Sequence, residues 1–290
     1  MIFGFYRNKK FQTFKLKFVP EDSPTGYIIS CDLEWPDYLH EPHSDYPLVP
    51  EKLTVDKDKL SPFAQNLAGE HWIPTKKLIP NLQDKQNYVV HYRNLQFYVN
   101  QNLKVTKIHK IISFTQRPWL KPWIDLCTNQ RQNAKSDFEA DLAKLQANST
   151  FSKIIKNVRN RRNIWLIADF AKVLKAVSEP SYKEAMIINP DLAMVRAERQ
   201  KVILNKPIAV GFSILELLKL IMYKFYYKYL KPTYGVHCRL LFTDTDSLCC
   251  EIWTTDIYHH MGQNIGHFDT SNFNPSHPLF SHKTTASLAK

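Results

Sequence analysis

Two carboxylates spaced two residues apart, Asp244 and Asp246, are the residues of this sequence best suited to chemistry. They lie between an apolar run that begins at Leu240 and a second that begins at Leu248, a pattern typical of a β-hairpin with the acids at its tip. Side chains at i and i+2 of a strand share a face, and hard divalent cations prefer carboxylate oxygens. The segment therefore predicts a metal seat of the kind that phosphoryl-transfer enzymes need. A surface turn, which Asp and Ser also favour, is the alternative.

A predicted helix carries the second group of candidate residues. Between residues 129 and 161, apolar side chains recur mostly at intervals of three and four, which predicts one amphipathic stripe. The stripe consists of Phe138, Leu142, Leu145, Phe151, Ile154, Ile155 and Val158. Lys144, Asn148 and Ser152 are spaced by four, so they share a helix face, with Phe151 beside them. Such a face can hold a triphosphate while the aromatic ring packs against a base or sugar.

Further basic residues precede and follow this face. Arg131 and Lys135 form another pair with a spacing of four, two to three turns before Lys144. The residues that could follow a phosphate backbone are Lys153, Lys156, Arg159, Arg161 and Arg162. A solvated basic face on an amphipathic helix is the alternative interpretation of both groups.

The two signals together resemble a known family. Lys144-x-x-x-Asn148-Ser149-x-Phe151, followed about ninety residues later by Phe242-Thr243-Asp244-Thr245-Asp246-Ser247, resembles the B and C motifs of family B DNA polymerases. The resemblance is closer to the organellar and viral protein-primed branch, and within it to polymerases of Maverick/Polinton-type mobile elements. It covers residues 26 to 279. Other similar segments are Asp32 to Pro36, His43 to Leu48, Tyr88 to Asn94 and Trp119 to Pro122.

The resemblance implies a role for each motif residue. Asp246 would be the principal metal ligand and Asp244 would support it, with Mg²⁺ as the cofactor in a two-metal site. Lys144 would contact the phosphates of the incoming nucleotide and Asn148 would line its site, with Arg131 and Lys135 as weaker candidates. The reaction would be in-line attack of a primer 3′-hydroxyl on an α-phosphate. The implied partners are primer–template DNA, deoxynucleoside triphosphates and a terminal protein as primer.

The chain departs from the family pattern in three ways. Ser152 stands where the family usually has glycine after the motif B aromatic residue. The family also needs a third acid from motif A, and Asp32 is one candidate for it. In the mobile-element polymerases, however, a similar Asp-Leu-Glu-Tyr-Pro segment lies downstream of motif A. We therefore expect motif A to lie outside this sequence and the two-metal site to be incomplete in this chain. We also expect the exonuclease region and the thumb to lie outside it, because no segment resembles them.

The resemblance predicts a mixed α/β (α+β) fold, with a polymerase palm whose antiparallel sheet bears the acidic hairpin, and helical fingers. Residues 1–115 would form part of the palm and a family-specific insertion, 116–165 the fingers with the motif B helix, and 166–290 the palm with motif C. Residues 166 to 206 show no clear periodicity and are predicted to be irregular, with breakers at Pro180 and Pro190. A core helix is predicted over Ser213–Leu230.

Composition limits the kinds of partner and the cellular locations that fit this chain. The 290 residues carry a net charge of +12, which suits a polyanionic partner. The sequence has no run of 18 apolar residues, so it predicts no membrane span. Five cysteines without a Cys-x-x-Cys pair indicate a reduced, intracellular protein, and the mobile-element likeness favours the nucleus. Two rival hypotheses stay open: a catalytically inactive, basic DNA-binding remnant of such a polymerase, and an unrelated basic α+β domain.

Overall fold

A computed structural model describes residues 3–6, 19–69, 72–199, 201–244, 246–271 and 273–281 of the chain. Within these residues the fold is mixed α/β, with antiparallel sheets and helices. The strands are β1 (Phe3–Tyr6), β2 (Thr25–Glu34), β3 (Glu51–Thr54), β4 (Lys76–Ile79), β5 (Lys85–His91), β6 (Lys104–Thr115), β7 (Arg162–Ile167), β8 (Tyr182–Asn189), β9 (Leu192–Glu198), β10 (Cys238–Asp244) and β11 (Ser247–Ile252). The helices are α1 (His40–His43), α2 (Pro62–Ala68), α3 (Tyr92–Asn100), α4 (Lys121–Gln132), α5 (Asp137–Ile155), α6 (Phe170–Val177), α7 (Ile208–Phe225), α8 (Lys231–Tyr234) and α9 (Ile257–Gln263).

The chain divides into two compact units. The first comprises Met1–Ile29, Val90–Tyr92 and Lys110–Leu217, and the second comprises Ser30–Val89, Arg93–His109 and Leu218–Lys290. A four-stranded sheet has the order β1-β6-β2-β5, and the division falls inside β2, β5 and β6. The boundaries expected at residues 115 and 165 mark functional domains, and they stay a prediction.

The prediction of one long helix from about residue 129 to 161 was wrong, because the structure has two helices there. α4 ends at Gln132, and α5 begins after Ser136, whose hydroxyl accepts a hydrogen bond from the Glu139 backbone N–H at 3.3 Å. The Glu139 carboxylate in turn accepts from the Lys135 backbone N–H at 2.7 Å. The bond to Ser136 satisfies one of the first free N–H groups of the helix, and the bond from Lys135 holds the chain that leads into it, so together they fix the start of α5.

The apolar stripe predicted for this helix is also largely unburied in its first half. Phe138 is 75% exposed and Leu145 is 63% exposed, whereas Ala143 is buried. α5 ends at Ile155, and Val158 lies in a short 3₁₀ turn before β7. Periodicity therefore predicted that a helix forms here, but not which side of it packs.

Residues 166 to 206, expected to be irregular, contain the antiparallel sheet β7-β9-β8 and helix α6. Trp165 and Ala185 pair with Val195 of the central strand, and Val195 and Ala197 are fully buried. Pro180 lies in the connection that precedes β8, outside the strands. Prolines that lie between short strands and helices were thus mistaken for evidence that the whole segment lacks regular structure.

The second unit has an aromatic core. A five-residue π-helical turn, Tyr226–Leu230, continues α7 and places Tyr226 and Tyr227 in the interior. The Tyr227 hydroxyl donates to the Tyr46 carbonyl at 2.6 Å, and the Tyr227 ring makes an edge-to-face contact with buried His43. Among the helices described, none combines the length and apolarity that a membrane crossing would need.

Candidate functional site

The two apolar runs beside Asp244 and Asp246 form the antiparallel strands β10 and β11 of the second unit. Asp244 is the last residue of β10 and pairs with Ser247, so the connection is only two residues long. The Asp244 carbonyl accepts from the Asp246 backbone N–H at 2.5 Å and from the Ser247 hydroxyl at 3.1 Å. These bonds close the turn, and both acidic residues are exposed at the tip.

Two features of this hairpin differ from the predicted arrangement. Asp246 lies in the connection rather than in a strand, so the i, i+2 rule for strand faces does not apply to it. Among the described residues, β10 and β11 pair only with each other and form a sheet separate from the four-stranded one. A two-stranded hairpin is marginal by itself, so its base must be held by other contacts.

Residues at the base of the hairpin make such contacts. Cys238, the first residue of β10, is buried, and the Trp253 backbone N–H donates to the His237 carbonyl at 2.9 Å. Burial, with a smaller contribution from Cys238, raises the pKa of Cys250 to about 12. Burial also raises the pKa of Cys238, so both thiols stay protonated near neutral pH and act as apolar strand residues.

The candidate third acid, Asp32, has structural partners. One of its carboxylate oxygens accepts from the Asn87 backbone N–H and from His109 Nε2, each at 2.7 Å. Asn87 has a φ of +52°, and the hydrogen bond from its N–H is the main cause that lowers the pKa of Asp32. Over the described ranges, no three His, Cys, Asp or Glu side chains come close enough to hold a metal ion, so Asp32 does not join the hairpin acids.

The predicted nucleotide-binding face belongs to the first unit. Lys144, Asn148 and Ser152 are exposed on α5, and Phe151 is half-buried beside them. Thr150 accepts from the Trp123 indole N–H at 3.0 Å, which puts α4 against the opposite side of α5. The face is therefore free of α4.

Arg131 and Lys135 do not form the second pair on one helix face that their spacing of four predicted. Arg131 lies in the last turn of α4, and Lys135 lies in the connection before α5. The spacing of four places two residues on one face only when both belong to the same helix. Because the cap at Ser136 separates α4 from α5, Arg131 and Lys135 do not belong to the same helix.

The predicted DNA-binding residues lie where α5 ends. Lys153 is in its last turn, Lys156 and Arg159 follow it, and Arg161 and Arg162 lead into β7. All are exposed except Arg161, which is half-buried. The sequence from 142 to 168 contains no acidic residue, so this part of the first unit is locally cationic.

Sequence reasoning missed three residues that support the candidate site residues: His109, Asn87 and Gly211. His109 and Asn87 bind Asp32 from strands far away in sequence, and no local pattern announces them. Gly211 of α7 was missed as well. A Cβ atom there would lie 1.7 Å from Ile155 Cγ2, so only glycine allows α7 to meet the end of α5.

Comparison with known proteins gives one structural likeness. A crystal structure titled "Phi29 DNA Polymerase, orthorhombic crystal form" aligns with 83% of this chain at 15% identity, with a TM-score of 0.43. The alignment covers 34% of that polymerase, so this chain spans about a third of it. No family model and no curated protein matches the chain.

Proposed function

We propose that this chain is part of a DNA-directed DNA polymerase that transfers nucleotides from deoxynucleoside triphosphates to a primer 3′-hydroxyl. The observation that carries the proposal is the closed hairpin tip, which exposes Asp244 and Asp246 directly after a strand. The order of the sequence motifs adds to it, because Lys144 and Asn148 precede the acids at the spacing of motifs B and C.

The proposal assigns a task to each group of residues. Asp246 and Asp244 offer carboxylate oxygens that fit one Mg²⁺ ion, and a second ion needs a further acid. Bound Mg²⁺ would neutralise charge on the reacting phosphates. Lys144 attracts the triphosphate, Asn148 and Phe151 line the nucleotide, and the cations after α5 bind the phosphate backbone of primer–template DNA.

An inactive DNA-binding remnant is the second candidate. It is favoured by the engagement of Asp32 with Asn87 and His109, and by the lack of a three-acid group in the described part of the chain. A net charge of +12 supports DNA binding under either proposal. A terminal protein as primer and a nuclear location belong to the polymerase proposal and rest on the sequence resemblance alone.

Primer extension with Mg²⁺ and four deoxynucleotides distinguishes the two candidates. Asp246→Ala is compared with Asp58→Ala, which removes an exposed acid elsewhere in the second unit. Extension that Asp246→Ala abolishes and Asp58→Ala retains would support the polymerase proposal and would show, against the expectation from the sequence, that the two-metal site is complete in this chain. Salt-sensitive DNA binding without extension by the folded chain would favour the remnant.

Metal binding gives a readout that does not depend on activity. Titration with Mn²⁺, followed by electron paramagnetic resonance, should show one site that is lost in Asp246→Ala and kept in Asp58→Ala. Equal Mn²⁺ binding by both variants would contradict the assignment of the hairpin as the metal seat.

A further inference from the structure

The sheet β7-β9-β8 of the first unit has one covered face. Val195 and Ala197 of the central strand are fully buried on this face. Helix α6 contacts all three strands, and its half-buried residues are the apolar Val173, Ala176 and Val177. These side chains supply the apolar surface that the centre of the face requires. The covered face therefore has an ordinary core of helix packed on sheet.

The opposite face of the same sheet is apolar and exposed. Leu166, Met194 and Met186 lie directly opposite one another on the three strands, so they form one row across this face. Leu166 is 65% exposed, Met186 is 54% exposed, and Ile164, two residues before Leu166 on the same face, is 58% exposed. An antiparallel sheet that packs on one side normally presents polar residues on the other. This sheet instead exposes side chains of the kind found in a core.

A second row, with one charge of each sign, adjoins the apolar row. Arg196 lies between Ile164 and Glu184 across the sheet, and its Nη1 is 2.6 Å from a carboxylate oxygen of Glu184. The open face is defined here as the residues of these two rows: Ile164, Leu166, Glu184, Met186, Met194 and Arg196. Its charges cancel, in a chain whose net charge is +12. The row beyond it, Arg162 opposite Glu198, also has one charge of each sign.

Charge limits what can cover the open face. Nucleic acid binds where cations are in excess, and on the open face the one arginine is paired with a glutamate. Two copies that each carry a charge of +12 repel each other, and this repulsion is smallest where neutral surfaces meet. A second copy of the open face fits both conditions, because apolar residues meet apolar residues and neither face brings an unpaired charge.

We infer that the open face is a contact between two copies of this chain, which pack their sheets face to face. Such a contact has a two-fold axis, and stacked sheets lie about 10 Å apart. The two methionines are flexible enough to fill the space between the sheets. Six residues on each side are fewer than the roughly 20 of a standard interface, so the dimer is weak, with an expected Kd of about 100 µM. The contact uses none of the residues to which the polymerase proposal assigns a task.

Sedimentation velocity of the nuclease-treated full chain, at concentrations from about 5 to about 500 µM, tests this contact. We expect a monomer–dimer equilibrium that Leu166→Glu weakens at least about tenfold, because the substitution places a charge in the apolar row of both copies. The matched control is Leu174→Glu, at an exposed leucine of α6 outside the open face, which should dimerise like the parent chain. About 0.5 M NaCl should strengthen the dimer, because salt screens the repulsion between the copies.

Charge variants test the neutrality of the open face. Glu184→Arg leaves two cations and no acid there and should weaken the dimer about tenfold, whereas Glu184→Arg combined with Arg196→Glu should return its affinity to within about threefold of the parent chain. A monomer at every concentration, equal weakening by Leu166→Glu and Leu174→Glu, or a double variant as weak as Glu184→Arg would each overturn the inference. Loss of the dimer in high salt would overturn it too, because copies bridged by bound nucleic acid separate under that condition.

Discussion

The hairpin in the second unit and the α5 face in the first unit carry the two halves of the proposed chemistry, and they are supported very differently. The hairpin begins at a buried residue, Cys238, and follows a π-helical turn whose tyrosines lie in an aromatic core. α5 has only Ala143 fully buried, while Phe138 and Leu145 are mainly exposed. Regions with little apolar burial are the first to open, so we expect α5 to be the less stable of the two.

The hairpin and α5 derive their rigidity from different sources. The hairpin tip is closed by its own backbone and is held at its base by a core. α5 is fixed at separate points: the cap at Ser136, the bond between Thr150 and Trp123, and the contact of Ile155 with Gly211. Substitutions at those points and in the aromatic core test this difference in support.

The largest expected effect concerns His43 in the aromatic core. Its side chain is 3% exposed, and burial, together with Lys231, lowers its pKa from 6.5 to about 4. Because the unfolded chain binds a proton there between these values and the folded chain does not, stability is full above pH 6.5 and declines as the pH falls to 4. This linkage is worth up to about 3 kcal/mol.

Urea unfolding at a series of pH values measures this linkage. His43→Phe keeps an aromatic ring against Trp35 and Tyr227 and should flatten the profile between pH 4 and 6.5. The matched control is His40→Phe, at a half-buried histidine nearby, which should keep the slope. An unchanged slope in His43→Phe would show that burial in the aromatic core does not shift the pKa of His43.

The next effect is at Gly211, where α7 meets the end of α5. A Cβ atom 1.7 Å from Ile155 Cγ2 forces the helices apart, so Gly211→Ala should lower the free energy of unfolding by about 2 kcal/mol. Gly266→Ala is the control, because its Cβ would meet nothing within 4 Å. Denaturant unfolding with no difference between these variants would mean that this contact does not hold α5.

A smaller effect is expected at the helix cap. Ser136→Ala removes the acceptor for the Glu139 N–H and should cost about 1 kcal/mol, whereas Ser136→Asp should preserve stability. Amide hydrogen exchange in the first turn of α5 gives a local readout. Exchange that stays as slow in Ser136→Ala as in the parent chain would favour the continuous helix that periodicity predicted.

The smallest effect is expected on the exposed stripe. Leu145→Ser should change the free energy of unfolding by less than about 0.5 kcal/mol, because the side chain is 63% exposed. Val195→Ala, at a fully buried position of the same unit, should cost more than about 1 kcal/mol. A large loss from Leu145→Ser would place that side chain in a packed interface and remove the contrast between α5 and the hairpin.

Much of the local structure around the acids could be predicted from sequence. Alternating apolar residues and a short polar connection define antiparallel strands within one segment, because the pairing partners lie close together in the chain. The existence of helices near residues 140 and 215 was likewise predictable from periodicity. By contrast, the interruption between α4 and α5 depends on Ser136 and Glu139, whose spacing is a capping signal that apolar periodicity does not include.

By itself, the sequence determined which chemical groups are present and in what order: two acids at a turn, a Lys-Asn face on a helix, and a cationic stretch without acids. Only the tertiary structure decided which residues contact these groups and support them. Asp32 meets Asn87 and His109, and Gly211 meets Ile155. The physical reason is that periodicity is a property of one segment, whereas burial and hydrogen bonding depend on residues that are distant in the chain.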